Sequence, residues 1–228
     1  APEQRASWVL NALRSSHRAV RIAAAYELAP IHERLDPADR AAFDDASAEY
    51  FAEQSFNSDR GGGLFNRGSM KLRLGRPQEA RAAFEQALVE EPGFVSAAIS
   101  LADLDRRMGD EQGALIRLRR LADSMPDNAG VRLALGLSMT RSGQPGPALR
   151  EFDRAAALGG DEPTYAYYFG VALNSSGEPA RAVAVLQRAH EKFPGHRDLL
   201  VALATMQRDR GDIAAALASA RKLIRIVP

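Results

Sequence analysis

The side chains best suited to metal binding or acid–base catalysis are few and scattered. The four histidines are His17, His32, His190 and His196. They show neither the HxxxH nor the HExxH spacing that places two metal ligands on one helix face. His190 and His196 are separated by Phe193-Pro194-Gly195, a segment that ends a helix, so a metal ion shared by them is not expected.

A glycine run at Gly61 to Gly63 lacks the Lys-Ser/Thr pair that a phosphate-binding loop requires. Each glycine weakens a helix by about 1 kcal/mol relative to alanine, so the run predicts a flexible joint. The carboxylate pairs Asp44-Asp45 and Glu90-Glu91 are typical of solvated surface positions. We therefore expect no catalytic residues, no metal site and no cofactor, and a protein that is not an enzyme.

Composition excludes further classes of protein. The 30 basic and 29 acidic residues leave a formal net charge of +1, without the positive field that gathers nucleic-acid phosphates. The absence of cysteine excludes disulfides and covalent haem attachment here, and it fits the cytosol or the periplasm. No apolar run reaches the roughly 20 residues that span a bilayer, so membrane insertion is not expected. The sequence begins without Met, which is compatible with a mature product or with an excised piece of a longer protein, and we favour the excised piece.

Several residue types recur together at one constant spacing, which is the signature of a repeat architecture. Glycines that can end a helix with positive φ stand at Gly75, Gly109, Gly143, Gly177 and Gly211, and we call the spacing between successive members the repeat interval. Small residues for close helix contact follow at Ala80, Ala114, Ala148, Ala182 and Ala216. Pro92, Pro126, Pro194 and Pro228 mark the end of the second helix, where only Gly160 departs from proline. The pattern predicts five helix pairs.

These registers resemble the tetratricopeptide repeat family, whose units are about 34 residues long. The family has a small residue at place 8, glycine at place 15, alanine at places 20 and 27 and proline near place 32, with places counted from the first residue of each repeat. The resemblance implies an all-α fold, a right-handed α-solenoid of antiparallel helix pairs, with repeats over 61–94, 95–128, 129–162, 163–196 and 197–228. The aromatic residue usual at place 4 is missing, which predicts a looser contact of each first helix.

Residues 1–58 precede the repeat domain, 59–228, and are predicted to be helical but outside its pattern. They resemble a HEAT-like helical hairpin followed by an adapter helix that opens at Asp36-Pro37. Ala46 and Tyr50 lie one repeat interval before Ala80 and Phe84, so the adapter helix keeps the repeat register. The order of these parts also resembles the carboxy-terminal portion of bacterial multihaem c-type cytochromes, and this resemblance favours a periplasmic location.

In the tetratricopeptide family, the first helices line a groove through places 2, 5, 9, 12 and 13. The residues that this resemblance assigns to partner binding are Phe65, Ser69, Arg73, Ile99, Asp103, Arg106, Arg107, Leu133, Leu137, Arg141, Tyr167, Val171 and Asn174. Phe65 with Ser69, and Ile99 with Asp103, replace the Lys/Asn pairs that grip a chaperone carboxylate in some members. An acidic peptide with apolar anchors suits this mixture of apolar and arginine side chains better.

Three functions are compatible with these observations. The first is a scaffold that binds a peptide or partner protein in the groove, and the arginines on it are equally compatible with solvated helix ends. The second is a non-catalytic docking domain of a periplasmic multihaem cytochrome whose redox part lies upstream. The third is self-assembly into homo-oligomers through uncapped repeat ends.

Overall fold

The computed structural model describes residues 8–56 and 60–226, and in these residues it contains helices but no strand. The chain divides into two compact units, Ala1–Leu104 and Asp105–Pro228, with the boundary inside a helix of the second repeat. The helices up to this boundary are α1, described over residues 8–12, α2 (Arg18–Leu28), a 3-10 helix (Ala29–Arg34), α3 (Pro37–Phe56), α4 (Gly61–Arg73), α5 (Pro77–Glu90) and α6 (Val95–Arg107). The remaining helices are α7 (Glu111–Ser124), α8 (Ala129–Arg141), α9 (Pro145–Leu158), α10 (Pro163–Ser175), α11 (Pro179–Lys192), α12 (Arg197–Asp209) and α13 (Ile213–Ile226).

Each repeat contributes one helix pair, named here helix A and helix B. The A helices are α4, α6, α8, α10 and α12, and the B helices are α5, α7, α9, α11 and α13. In the second unit, α8 packs against α7 and α9, α10 against α9 and α11, and α12 against α11 and α13. Each internal helix is therefore covered by both of its neighbours in sequence, as expected when one pair cannot bury its apolar face alone.

The predicted turn glycines all adopt the left-handed conformation that lets a helix end. Gly143, for example, has φ +70°, and the glycines at the same place of the other repeats have φ between +72° and +90°. The amide of the next residue, Gln144, donates to the carbonyl of Met139 at 2.9 Å, which satisfies a carbonyl at the end of α8. The glycine register therefore sets the end of every helix A.

The small residues at place 8 allow the two helices of a pair to approach closely. A Cβ added at Gly136 would lie 2.7 Å from the ring of Phe152, and one added at Gly170 would lie 2.6 Å from Leu186. Such distances are too short for carbon atoms, so these glycines hold large B-helix side chains against the A-helix backbone. Phe152 and Leu186 are correspondingly buried.

The glycine run at Gly61 to Gly63 is helical, so the predicted flexible joint is wrong. The run forms the first turn of α4, and both Gly61 and Gly63 are buried. A Cβ at Gly61 would lie 2.9 Å from the carboxylate of Glu91 and 3.3 Å from the carbonyl of Ala87. The glycine is needed because the start of α4 passes close to the end of α5, and this packing outweighs the helix propensity.

Before the repeats, α3 packs against α2 and α4, and it keeps the repeat register with Ala46 and Tyr50 buried. Burial, with smaller contributions from Tyr26 and Glu53, raises the pKa of Tyr50 to about 12. The protonated Tyr50 hydroxyl donates to the carbonyl of Asn66 at 2.9 Å and so connects α3 to α4. The HEAT-like character of the preceding hairpin stays a prediction.

Place 4 of helix A is filled differently in successive repeats of the second unit. Arg132 is buried, and its guanidinium donates to the carbonyls of Pro126 (2.9 Å) and Ala122 (3.2 Å) and to the carboxylate of Glu151 (3.0 Å). Leu200 fills the same place in the last repeat and is fully buried. The contact at these two places is therefore tight despite the missing aromatic residue, contrary to the sequence-based prediction.

Candidate functional site

The candidate site is the surface formed by the A helices of the second unit, α8, α10 and α12. These helices lie side by side, because α10 contacts both α8 and α12. Residues at places 5 and 9 lie one turn apart on a helix and share its face. Neighbouring helices therefore present two parallel rows, and we name this surface the A-helix face.

The apolar part of the A-helix face is formed by residues that were predicted to bind a partner. Leu133 and Tyr167 occupy place 5, and Leu137 and Val171 occupy place 9; all four are half-buried. The Tyr167 ring packs edge-on against that of Tyr168, with centroids 5.4 Å apart, which limits its motion. Rigid aromatic and aliphatic side chains of this kind supply contact area at a small entropic cost.

A cavity of about 220 Å³ opens between the third and fourth repeats beside these residues. Leu137 and Val171 line it together with Phe152, Tyr168 and Pro145. The lining is mostly apolar, and the hydroxyl-bearing residues among its walls are Thr140, Tyr168, Ser175 and Ser176. Such a concave, largely apolar space with few polar groups suits one side chain of a bound polypeptide.

The polar part of the face comes from the ends of the A helices. Arg141 is exposed, and its Nε lies 3.5 Å from the carboxylate of Glu111. Asn174 is exposed at place 12 of the next repeat. Arg106 and Arg107 end α6, and each has a contact within the chain. A partner carboxylate would therefore compete with internal contacts for these arginines.

Two predicted residues of the first unit serve its internal packing. Phe65 packs against Phe84 and Phe94, with ring centroids 5.5 and 5.4 Å away. The Arg73 guanidinium lies 4.3 Å from the centre of the Tyr26 ring and donates to the Tyr26 carbonyl at 2.7 Å. Both side chains are held by their own unit, because α4 lies next to α5 on one side and the N-terminal helices on the other.

The other predicted residues of the first unit lie on α4 and α6. The Ser69 hydroxyl donates to the carbonyl of Phe65 at 3.0 Å, one turn earlier on the same helix. Ile99 and Asp103 are half-buried, and Asp103 has a contact within the chain. Whether any of these three contacts a partner stays a prediction.

Sequence reasoning omitted the last repeat, although α12 continues both rows of the A-helix face. Val201 stands at place 5 and Thr205 at place 9, and both are exposed. Arg208 follows at place 12, also exposed. The register that assigned Leu133 and Tyr167 extends to Val201 without change, so the signal was present in the sequence.

Among residues 8–56 and 60–226, no group of three or more His, Asp or Glu side chains is placed to hold a metal ion. Within the same residues, no helix combines the length and the apolar character that crossing a bilayer requires.

Two segments match the tetratricopeptide repeat family: residues 65–129 and residues 163–206. The fold is similar to that of MamA, at 19% identity and a TM-score of 0.59 over 70% of this chain and 93% of MamA. It is also similar to YrrB, described as a TPR protein with an unusual peptide-binding site, at 19% identity and a TM-score of 0.55 over 78% and 92% of the two chains. A third similar structure is TTC0263 of Thermus thermophilus, a thermophilic TPR protein, at 23% identity and a TM-score of 0.57 over 74% and 92%.

These similarities confirm the predicted all-α solenoid of antiparallel helix pairs. No curated protein matches the chain significantly. The resemblance to multihaem cytochromes gains no support from these comparisons and stays a prediction.

Proposed function

We propose, on the premise that this chain carries tetratricopeptide repeats, that it is an interaction scaffold that binds a polypeptide segment on the A-helix face of its second unit. The observation that carries the proposal is the row of apolar residues at place 5, which runs in register across α8, α10 and α12 as Leu133, Tyr167 and Val201, beside Leu137 and Val171 at place 9. The peptide-binding site named for YrrB, a protein of similar fold, supports this choice of ligand class.

The A-helix face is suited to a segment with apolar anchors and some acidic groups. Leu133, Tyr167 and Val201 follow one another at the repeat interval, so successive anchors of a bound segment meet equivalent positions on successive helices. Arg141 and Arg208 at the helix ends favour carboxylates between those anchors. The chaperone-type carboxylate clamp is not part of the proposal, since the residues that form it are absent.

The proposal is tested by selecting peptides from a displayed random library on the whole chain and measuring their affinity for variants. Val201→Asp places a charge in the row at place 5, where the side chain is 40% exposed. Ile116→Asp is the matched control, because Ile116 is 48% exposed on a B helix outside this face. We expect Val201→Asp to weaken binding by about tenfold or more, a loss of roughly 1.4 kcal/mol, and Ile116→Asp to leave it unchanged.

Selected peptides that bind both variants as well as the original chain would refute the assignment to the A-helix face. Replacement of Arg106, Arg107 and Arg141 together tests whether arginines at the ends of the A helices take part in binding. We expect this triple variant to bind acidic peptides more weakly and with less dependence on salt concentration. Binding and salt dependence that are both unchanged would remove the arginines from the site.

A second candidate function is self-association through the outer surface of α12 and α13. Ile213 and Leu217 are 54% and 53% exposed there, and with Thr205 and Ala216 they line a mostly apolar cavity of about 420 Å³. A second copy that covered these side chains would remove them from water. Sedimentation equilibrium tests this: Leu217→Glu should abolish any rise of apparent mass with concentration, and a mass that stays monomeric at every concentration would eliminate the candidate.

A further inference from the structure

A crevice of about 240 Å³ lies between the B helices α9 and α11, beside α10. Its apolar walls come from Ala156, Ala166, Phe169, Val185 and Phe193. None of the residues of the A-helix face lines it, so it is a separate feature of the second unit. The crevice owes its shape to the residue at place 4 of helix A, which is alanine in this repeat.

The preceding repeat shows what such a crevice contains when place 4 carries a long side chain. Arg132 stands one repeat interval before Ala166, and its guanidinium binds the carbonyls of Ala122 and Pro126. Ala156 and Gly160, which stand one repeat interval after these two, both line the crevice. The space beside Ala166 therefore corresponds to the space that the Arg132 side chain fills one repeat earlier.

The following repeat shows that an apolar side chain also fits. Leu200 stands one repeat interval after Ala166 and is fully buried in its own repeat. Lys222 of that repeat and Arg188 of the crevice both occupy place 26. A leucine at place 4 is therefore compatible with a basic residue at place 26. A leucine-sized group from outside would thus enter a space of the right size and polarity beside Ala166.

The charges around the crevice select against a cationic occupant. Glu151, which pairs with Arg132, is replaced in this repeat by Val185, and Leu158 is replaced by Lys192. The Lys192 ammonium already contacts the carbonyl of Gly160 at 2.7 Å and the carboxylate of Asp161 at 2.6 Å. The crevice has therefore lost the carboxylate that held an arginine and gained a second basic side chain.

Arg188 supplies the positive charge that is still open to a ligand. It is exposed and lines the crevice, and within the part of the chain that the structure describes it has no carboxylate partner. The carboxylate of Glu162, which also lines the crevice, accepts a hydrogen bond from the Thr164 hydroxyl at 2.9 Å. A ligand carboxylate near Arg188 would therefore find a guanidinium with its donors available.

Arg188 also belongs to a row of basic residues on the B helices of the second unit. Place 26 is basic in four successive repeats, at Arg120, Arg154, Arg188 and Lys222, and all four side chains are exposed. Because place 26 recurs once in every repeat, the row offers positive charges at regular intervals along the B helices. This row of positive charge complements an acidic segment that runs across the B helices.

We propose that the crevice beside Ala166 is the binding site for a leucine-sized side chain of an acidic polypeptide segment, whose carboxylates pair with Arg188 and its neighbours at place 26. The apolar walls distinguish this ligand from a nucleic acid or an anionic membrane, which would need the basic row but not the crevice. The site goes beyond the proposed function, because it lies outside the A-helix face and binds independently of it.

The test uses the whole chain and a labelled synthetic peptide that carries one leucine flanked on both sides by glutamates. Titration should show saturable binding that weakens roughly tenfold or more when the peptide leucine becomes alanine, as expected for loss of a buried leucine side chain. Ala166→Leu fills the crevice from inside, as Leu200 does, and should abolish binding while the melting temperature stays the same or rises. Arg188→Gln should weaken binding several-fold and lower its salt dependence.

Controls separate this site from others. Tyr167→Ala alters the A-helix face and should leave the affinity for this peptide unchanged. The proposal for the crevice and the proposal for the A-helix face can therefore be refuted separately. Peptide binding that survives Ala166→Leu in a folded variant would overturn the proposal, and so would equal binding of the leucine and alanine peptides. If a single-stranded oligonucleotide or phosphatidylserine vesicles displaced the peptide as effectively as unlabelled peptide does, binding would depend only on the basic residues and the proposal would be wrong. If Ala166→Leu fails to fold, the leucine and alanine peptides decide the matter with the unmodified chain.

Discussion

Replacement of Arg132 should destabilise the second unit, because one carboxylate and two backbone carbonyls depend on its guanidinium. Its side chain is 9% exposed and that of Glu151 is 11% exposed. Arg132→Leu introduces the residue found at the same place in the last repeat, where Leu200 is fully buried. The leucine fits the space but leaves the Glu151 carboxylate and two backbone carbonyls without their donor.

The expected loss follows from the groups left behind. Removing one partner of a buried ion pair costs about 3–5 kcal/mol, because the remaining charge stays out of water. Arg154, whose side chain is 61% exposed, lies 3.4 Å from Glu151 and compensates in part. We therefore expect the free energy of unfolding to fall by about 3 kcal/mol, at the lower end of that range.

The double variant Arg132→Leu/Glu151→Ser reproduces the pair Leu200 and Ser219 of the last repeat and removes the unpaired charge. It should recover about a third of the roughly 3 kcal/mol loss, because about 1 kcal/mol remains for each of the two carbonyls that still lack their donor. Arg154→Leu is the control, since an exposed member of the cluster should cost less than about 1 kcal/mol.

Urea unfolding followed by far-UV circular dichroism measures these differences, with hydrogen exchange of α8 and α9 to localise them. Two results would refute the reasoning. One is a loss below about 0.5 kcal/mol for Arg132→Leu, within the range of an ordinary surface substitution. The other is a double variant that is as unstable as the single one.

Three further outcomes are expected. Gly136→Ala should lower the melting temperature although alanine favours helices, because its Cβ would lie 2.7 Å from the Phe152 ring; a stabilised variant would contradict the close packing. Burial, followed by the nearby Lys222 charge, lowers the pKa of His190. The contribution of neutral His190 to stability is therefore complete above its ordinary pKa of about 6.5 and is lost as the pH falls through the lowered value. Thermal unfolding between pH 7 and pH 5 should depend less on pH in His190→Gln than in the original chain. An unchanged pH dependence would show that His190 is not the group responsible. Amide hydrogens from residue 197 onward should exchange faster than those of residues 95–195, because α13 packs mainly against α12. Uniform protection would count against this.

The repeat register allowed much of the fold to be predicted from sequence. The glycine at place 15 is required by a positive φ, and the alanine at place 20 is required by a close helix contact. Neither requirement depends on which particular residues lie nearby. Such demands are visible in the residue itself. For this reason the helix ends at Gly143 and Gly177 were predictable without knowledge of tertiary contacts.

The features that escaped prediction depend on tertiary contacts, which the repeat register does not reveal. An arginine at place 4 predicts looser packing than an aromatic residue there. Only the contacts of Arg132 with Ala122, Pro126 and Glu151 show that its side chain is held tightly. A glycine run predicts a hinge at Gly61, and only the close approach of Glu91 shows why glycine is required there within a helix. In both cases the deciding interaction is between residues of different helices.

The repeat register predicted which residues share the face of the candidate site. It did not predict which of their side chains are free to contact a partner. Places 5 and 9 identified the A-helix face from Leu133 to Val171, and the same count would have added Val201. The count could not show that Phe65 and Arg73 are occupied by their own unit, because Phe84, Phe94 and Tyr26 lie elsewhere in the chain. Free and occupied side chains at one register place differ only through packing.

The most direct test of the scaffold claim is a hydrogen-exchange footprint of a library-selected peptide on the whole chain. The account predicts slower exchange along α8, α10 and α12 when the peptide is bound, and no such footprint with Val201→Asp at the same peptide concentration. Protection confined to other helices, or a footprint on the A helices that persists in Val201→Asp, would contradict it.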